Sequence, residues 1–113
     1  MFRAEVKEKI EQELTHGDRA RQEGFAGRAR VCARRAAGAA VREYLRVKGM
    51  PSPGPSAIDL LEAIRLQAGN SAEIGQVAQR LLLQVDEDFS LPVDVDLLAD
   101  ARWLAEELEK NFG

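Results

Sequence analysis

The stretch "GRARVCARRAAGAAVREYLR", Gly27 to Arg46, decides the fold of this chain. It is rich in alanine, the residue with the highest helix propensity, and its apolar side chains recur at helical spacing. With the flanking residues they share one broad face: Phe25, Ala29, Cys32, Ala33, Ala36, Ala40, Tyr44 and Val47. Because small side chains let neighbouring helices come close, we predict a central bundle helix from about Phe25 to Lys48, ended by Gly49.

A first helix precedes this segment and is marked by apolar residues four positions apart: Phe2, Val6, Ile10 and Leu14. We expect this helix to continue through Gly17 to Gly24, since one interior glycine costs only about 1 kcal/mol. Residues 49–56 are rich in Pro, Gly and Ser and are predicted to form a linker.

Three further amphipathic helices follow the linker, separated by predicted loops at "AGNS" and "DEDFSLP". Side chains that can cap a helix N-terminus mark their predicted starts: Ser56, Ser71 and Asp94. Asp96 would then complement the dipole of the last helix, which ends near Lys110. Five helices with short loops predict an all-α fold, a single domain over residues 1–113 arranged as an up-and-down bundle.

The sequence lacks the residue patterns of most enzymatic and metal sites. Cys32 is the only cysteine and His16 the only histidine, which excludes an internal disulfide, a multi-cysteine zinc site and a di-metal carboxylate bundle. No glycine-rich phosphate loop or calcium-loop spacing occurs. We therefore predict no metal, no cofactor and no enzymatic activity, with Cys32 in the core. A Cys32–His16 pair across the first two helices is the alternative.

The expected location is the cytoplasm. No apolar run approaches the length of a membrane span, and the charged segment at residues 1–14 has no apolar signal-peptide region. We therefore expect no membrane partner.

Charge is unevenly distributed along this mildly acidic chain. Residues 18–48 hold nine basic and three acidic side chains, whereas residues 49–113 hold four basic and twelve acidic ones. The asymmetry predicts either a polyanionic partner or basic and acidic elements that face each other. Guanidinium groups pair bidentately with phosphate, so the candidate phosphate- or nucleic-acid-binding residues are Arg28, Arg35, Arg42 and Arg46. The alternative is a solvated helix face, partly paired with the acidic half of the chain.

Two other side chains stand out in the helical projection. Glu43 falls at the edge of the apolar arc, where a carboxylate needs a partner, and we expect an arginine from a neighbouring helix. The alternative is a functional acid in a groove. Trp103 projects away from the apolar stripe of the last helix and is a candidate interface residue. Its alternative is coverage by a second helix within the same chain.

The segment "ARRAAGAAVREYLRVKG", followed by a proline-containing loop, resembles the HEPN family of five-helix domains. In that family the second helix typically reads A-A-E-x-x-L-K-A. Here "AAGAAVREYL" is similar, with Arg42 at the position of the lysine and Gly38 at that of the glutamate. The helices "SAIDLLEAIRL" and "DVDLLADARWLAEEL" also fit the layout, so the resemblance covers nearly the whole chain.

The resemblance implies a non-catalytic member of that family. HEPN ribonucleases use an R-x4–6-H motif late in the domain, and here no histidine follows an arginine at that spacing. The other roles of the family are nucleotide or RNA binding, dimerisation, and partnership with a small nucleotidyltransferase.

Three functional hypotheses result. The first is a non-enzymatic association module that forms a homodimer or binds a protein partner, with Trp103 at the contact. The second is a nucleotide- or RNA-binding module that uses the arginine face of the second helix. The third, a hydrolase or ribonuclease, would need Glu43 or His16 to act without a recognisable acid–base partner.

Overall fold

The computed structural model describes residues 2–67, 71–83 and 96–110 of the chain. In these ranges it contains five α-helices and no strand, which confirms the predicted all-α fold. The helices are α1 (Ala4–Gln22), α2 (Ala26–Val47), α3 (Ala57–Leu66), α4 (Ala72–Leu81) and α5 (Leu97–Lys110). Within the described ranges, no helix combines the length and the apolar character that crossing a membrane requires.

The second helix is the central element of the bundle, as predicted. It packs against α1, α3 and α5, while α4 packs against α3 and α5. Four of its alanines are completely buried: Ala33, Ala36, Ala37 and Ala40. Since a methyl group adds little thickness, the neighbouring helices come close, and larger side chains of α3, α4 and α5 fill the core between them. These include Leu60, Leu61, Ile64, Ile74, Leu81, Leu104 and Leu108.

The ends of the helices follow the capping residues in most places. The Ser56 hydroxyl accepts a hydrogen bond from the Asp59 amide at 3.0 Å, and Ser71 does the same for Ile74 at 3.3 Å, so both predicted starts are confirmed. The first helix runs through Gly17, as expected. Gly49 follows the end of α2 with a φ of +71°, a conformation that favours glycine and ends the helix.

The start of α5 differs from the prediction. This helix begins at Leu97, and the Asp96 carboxylate accepts a hydrogen bond from the Ala99 amide at 3.0 Å. Asp96, which we expected only to complement the dipole, is therefore the capping residue. Asp94 lies outside the described residues, as do residues 68–70 and the loop "DEDFSLP".

Two residues assigned to the apolar face of α2 are exposed instead. Phe25 is 50% exposed and Val47 is 40% exposed. Phe25 is the N-cap residue, where the backbone is not helical, so a projection at helical spacing does not apply to it. Val47 is the last residue of the helix and immediately precedes the turn at Lys48 and Gly49.

Candidate functional site

A groove runs between α1 and α2 along the arginine-bearing side of α2. Arg28, Arg35 and Arg42 are seven residues apart, which is nearly two helical turns or about 10 Å of rise at each step, so they lie in one row. The groove has two stretches of about 590 and 290 Å³, which share Glu13 and Arg35 in their walls. We call the two stretches together the α1–α2 groove.

The first helix adds basic residues to the same groove. Arg19 lines the larger stretch and Lys9 the smaller one, so five cationic side chains face two carboxylates, Glu13 and Glu23. All five cations are exposed. Lys9 and Arg19 are not among the binding residues predicted from the sequence. A signal existed for Lys9, since Lys9, Glu13 and Glu23 recur at helical spacing on one side of α1.

None of the five groove cations has an ion-pair partner within the part of the chain that the structure describes. Eight other basic side chains in that part are each within 4.0 Å of a carboxylate. The Arg42 guanidinium does donate to the carbonyl of Pro55 at 2.8 Å, which fixes its position at one end of the groove. At the other end, the Arg28 guanidinium lies over the Phe25 ring, 5.0 Å from its centroid.

The fourth candidate, Arg46, is not brought into this groove. Its guanidinium donates to the carboxylate of Glu43, with the shortest bond at 2.7 Å. Glu43 also accepts from the side chain of Arg3 and from its backbone amide at 2.9–3.0 Å. The structure therefore groups Arg28, Arg35 and Arg42 with each other, and places Arg46 with Glu43.

Glu43 has arginine partners, as expected, but it is buried and does not lie at the edge of the apolar face, and one of the partners, Arg46, is on the same helix. The Glu43 side chain is 1% exposed, and Arg3, which immediately precedes α1, reaches it from across the helix pair. Hydrogen bonds from Arg46 and then from Arg3 hold the pKa of Glu43 at about 2, although burial opposes this shift. A carboxylate that accepts five such bonds stays charged at neutral pH, and it fastens the start of α1 to α2.

His16 and Cys32 both line the α1–α2 groove. Cys32 is buried, and its burial and the neighbouring Glu13 raise the pKa of its thiol. Since the thiolate is the nucleophilic form, a thiol held in its protonated state reacts slowly. The described residues contain no group of three or more His, Cys, Asp or Glu side chains arranged to hold a metal ion.

The sequence left open whether Trp103 is an exposed interface residue or is covered within the chain, and the structure shows it only partly covered. It is partly buried and packs against the hydrophobic core. Its remaining surface faces a second groove of about 420 Å³ between α4 and α5, whose walls include Glu73, Arg80 and Asp100. Arg80 and Asp100 are joined by two hydrogen bonds of 2.9 Å. We call this the α4–α5 groove.

No known protein family, curated protein or solved structure matches this chain. The structure leaves little room for a side chain at Gly38, where α2 and α3 meet. A Cβ atom at this position would lie 3.0 Å from the Cβ of Ala57, because α3 crosses α2 there. A side chain at this position would therefore require α3 to shift away from α2.

Proposed function

We propose that the protein is a non-enzymatic module that binds the phosphates of RNA in the α1–α2 groove. The observation that carries the proposal is the set of five groove cations without an ion-pair partner among the described residues. A row of guanidinium groups that are exposed and unpaired can meet phosphate oxygens bidentately without first breaking an internal salt bridge. Their spacing along α2 suits a ligand that carries several phosphates in a row.

The experiment is a titration of a fluorescently labelled RNA oligonucleotide at several salt concentrations. Each phosphate contact with a single strand contributes about −0.7 to the slope of log K against log salt, so three to five contacts predict a slope of roughly −2 to −3.5. The triple variant Arg28→Gln, Arg35→Gln and Arg42→Gln should reduce the steepness of that slope by about 2 and weaken binding strongly.

A matched control variant distinguishes the effect of the groove arginines from the effect of a lower net charge. The control is a second triple variant, which removes the same number of charges from arginines that are each paired with a carboxylate: Arg21→Gln, Arg65→Gln and Arg102→Gln. This control should keep the wild-type slope. The proposal fails if the wild-type protein does not bind at low salt, or if the control loses as much affinity as the groove variant.

A specific observation favours a second function, association with another protein chain. Trp103 is an aromatic side chain with surface left uncovered in the α4–α5 groove, and aromatic residues are enriched in interfaces. We propose this groove as the contact of a HEPN-like homodimer or of a partner such as a small nucleotidyltransferase. The native mass in solution tests the dimer for the wild type, Trp103→Ala and Glu73→Arg. Glu73 lies on the exposed rim, so its replacement leaves the core intact. A monomeric wild type, or variants with an unchanged dimer mass, would refute the dimer.

A further inference from the structure

Phe25 is a large apolar side chain that the core does not use. Of the aromatic residues in the described ranges, Phe2 and Tyr44 are buried and Trp103 is partly buried, whereas Phe25 is 50% exposed. Its backbone is nevertheless fixed, because its amide donates to the carbonyl of Ala20 at 2.7 Å in the turn between α1 and α2. An exposed ring on a fixed backbone loses little conformational freedom when a ligand covers it.

The ring is not part of the wall of the α1–α2 groove but lies beside it, next to Arg28. The Arg28 guanidinium, which lines the groove, lies 5.0 Å from the ring centroid. Val31, also in the groove wall, is 43% exposed. The stretch around Arg28 therefore has a cation, an exposed valine and a neighbouring aromatic ring close together.

We propose that Phe25 is a stacking platform for an unpaired nucleobase, so that the groove selects single-stranded nucleic acid over a duplex or a bare polyphosphate. This inference rests on the proposed function, since it takes the phosphate contacts of the arginine row as given. Proteins that bind single strands combine a positive groove, which follows the backbone, with aromatic side chains that stack on bases. The guanidinium plane of Arg28 adds a second flat surface on which a base can stack. In a duplex, base pairing and stacking keep both surfaces away from the bases.

The experiment compares three labelled ligands of equal length: a single-stranded RNA oligonucleotide, its duplex, and an abasic oligomer with the same phosphates. Affinities are measured by fluorescence anisotropy for the wild type, Phe25→Ala, Phe25→Trp and Arg35→Gln. We expect Phe25→Ala to weaken binding of the single strand about tenfold, because stacking of one base is lost. Phe25→Ala should bind the abasic oligomer as the wild type does. Phe25→Trp, which keeps an aromatic ring, should bind the single strand about as tightly as the wild type does.

The variants distinguish failure of this inference from failure of the proposed function. Equal affinities of Phe25→Ala and wild type for the single strand, with a loss in Arg35→Gln, would overturn the stacking role and leave phosphate binding intact. A duplex or abasic oligomer bound as tightly as the single strand would also overturn it. If Arg35→Gln binds every ligand like the wild type, phosphate binding in the groove fails, and the stacking inference fails with it.

Discussion

Replacement of Glu43 by glutamine is the most informative test of the interior of this bundle. The substitution keeps the size and shape of the side chain but removes the charge that five hydrogen bonds from Arg3 and Arg46 surround. Two of the guanidinium bonds would then have to point at an amide NH₂ group, which donates and cannot accept. We expect the variant to fold, with α1 less firmly held on α2.

The magnitude follows from the pKa of Glu43. The pKa falls from an ordinary value of 4.5 to about 2, which corresponds to roughly 3.4 kcal/mol at about 1.36 kcal/mol per unit. Arg3 and Arg46 are about half exposed, so solvent screening reduces this to about 2 kcal/mol. Because the folded state has the lower pKa, the stabilisation is fully present above about pH 5. It is lost as the pH falls through the folded value near 2.

The assay is urea unfolding followed by circular dichroism, for the wild type and Glu43→Gln, at pH 7 and at about pH 3. The free energy of unfolding should differ by about 2 kcal/mol at pH 7 and by less than half of that at about pH 3. Glu62→Gln is the matched control, since Glu62 is 45% exposed and also pairs with an arginine; it should change stability by under about 0.5 kcal/mol. A difference between wild type and Glu43→Gln that is equal at both pH values would refute the electrostatic reasoning.

Three further results are expected. Gly38→Ala should lower the free energy of unfolding by about 1–2 kcal/mol in thermal melts, since the contact of its Cβ with Ala57 outweighs the gain in helix propensity; a rise in stability would show that α3 can move aside. Alkylation of Cys32 by iodoacetamide at neutral pH should be at least about tenfold slower in the native protein than in urea, because the thiol is buried and protonated. Arg80→Ala should cost about 1–2 kcal/mol, since it leaves the Asp100 carboxylate, 15% exposed, without its two hydrogen bonds; an unchanged melting temperature would contradict this.

The helices were predictable because each carries a strong local signal. The alanine-rich segment, the capping serines and the glycine at the end of α2 act within a few residues of the positions they mark. The predictions that were wrong concern residues at the ends of helices, where the periodic pattern no longer applies. Phe25 precedes α2 and does not share its periodicity, and two aspartates near the start of α5, Asp94 and Asp96, are equally able to cap a helix. Which of the two caps the helix depends on the residue at which the helical backbone begins, and the sequence pattern does not fix that residue.

The candidate site was predictable in part. The row of Arg28, Arg35 and Arg42 is visible in the sequence because seven-residue spacing returns to nearly the same helix face. The contribution of Lys9 and Arg19 depends on how α1 packs against α2, which no pattern within one helix contains. The pairing of Arg46 with Glu43 is local, since the two residues lie three positions apart on α2, and it could have been predicted from the sequence. The addition of Arg3 to the same carboxylate depends on how the start of α1 packs against α2.

The net charge of this protein is negative, whereas the side chains that line the α1–α2 groove carry a net positive charge. Both matter to a polyanion, but they act over different distances. The chain carries a formal charge of −3, which repels a polyanion at long range. Screening confines that repulsion to about 8 Å at physiological ionic strength, so a phosphate in the groove responds mainly to the five cations and two carboxylates that line it. Several acids of the second half are already paired with arginines elsewhere, as in Arg21–Asp96, Arg65–Glu62 and Arg80–Asp100. The acidic side chains of residues 49–113 thus make the net charge of the molecule negative while the α1–α2 groove stays positive. Affinity for a polyanion should therefore depend steeply on salt.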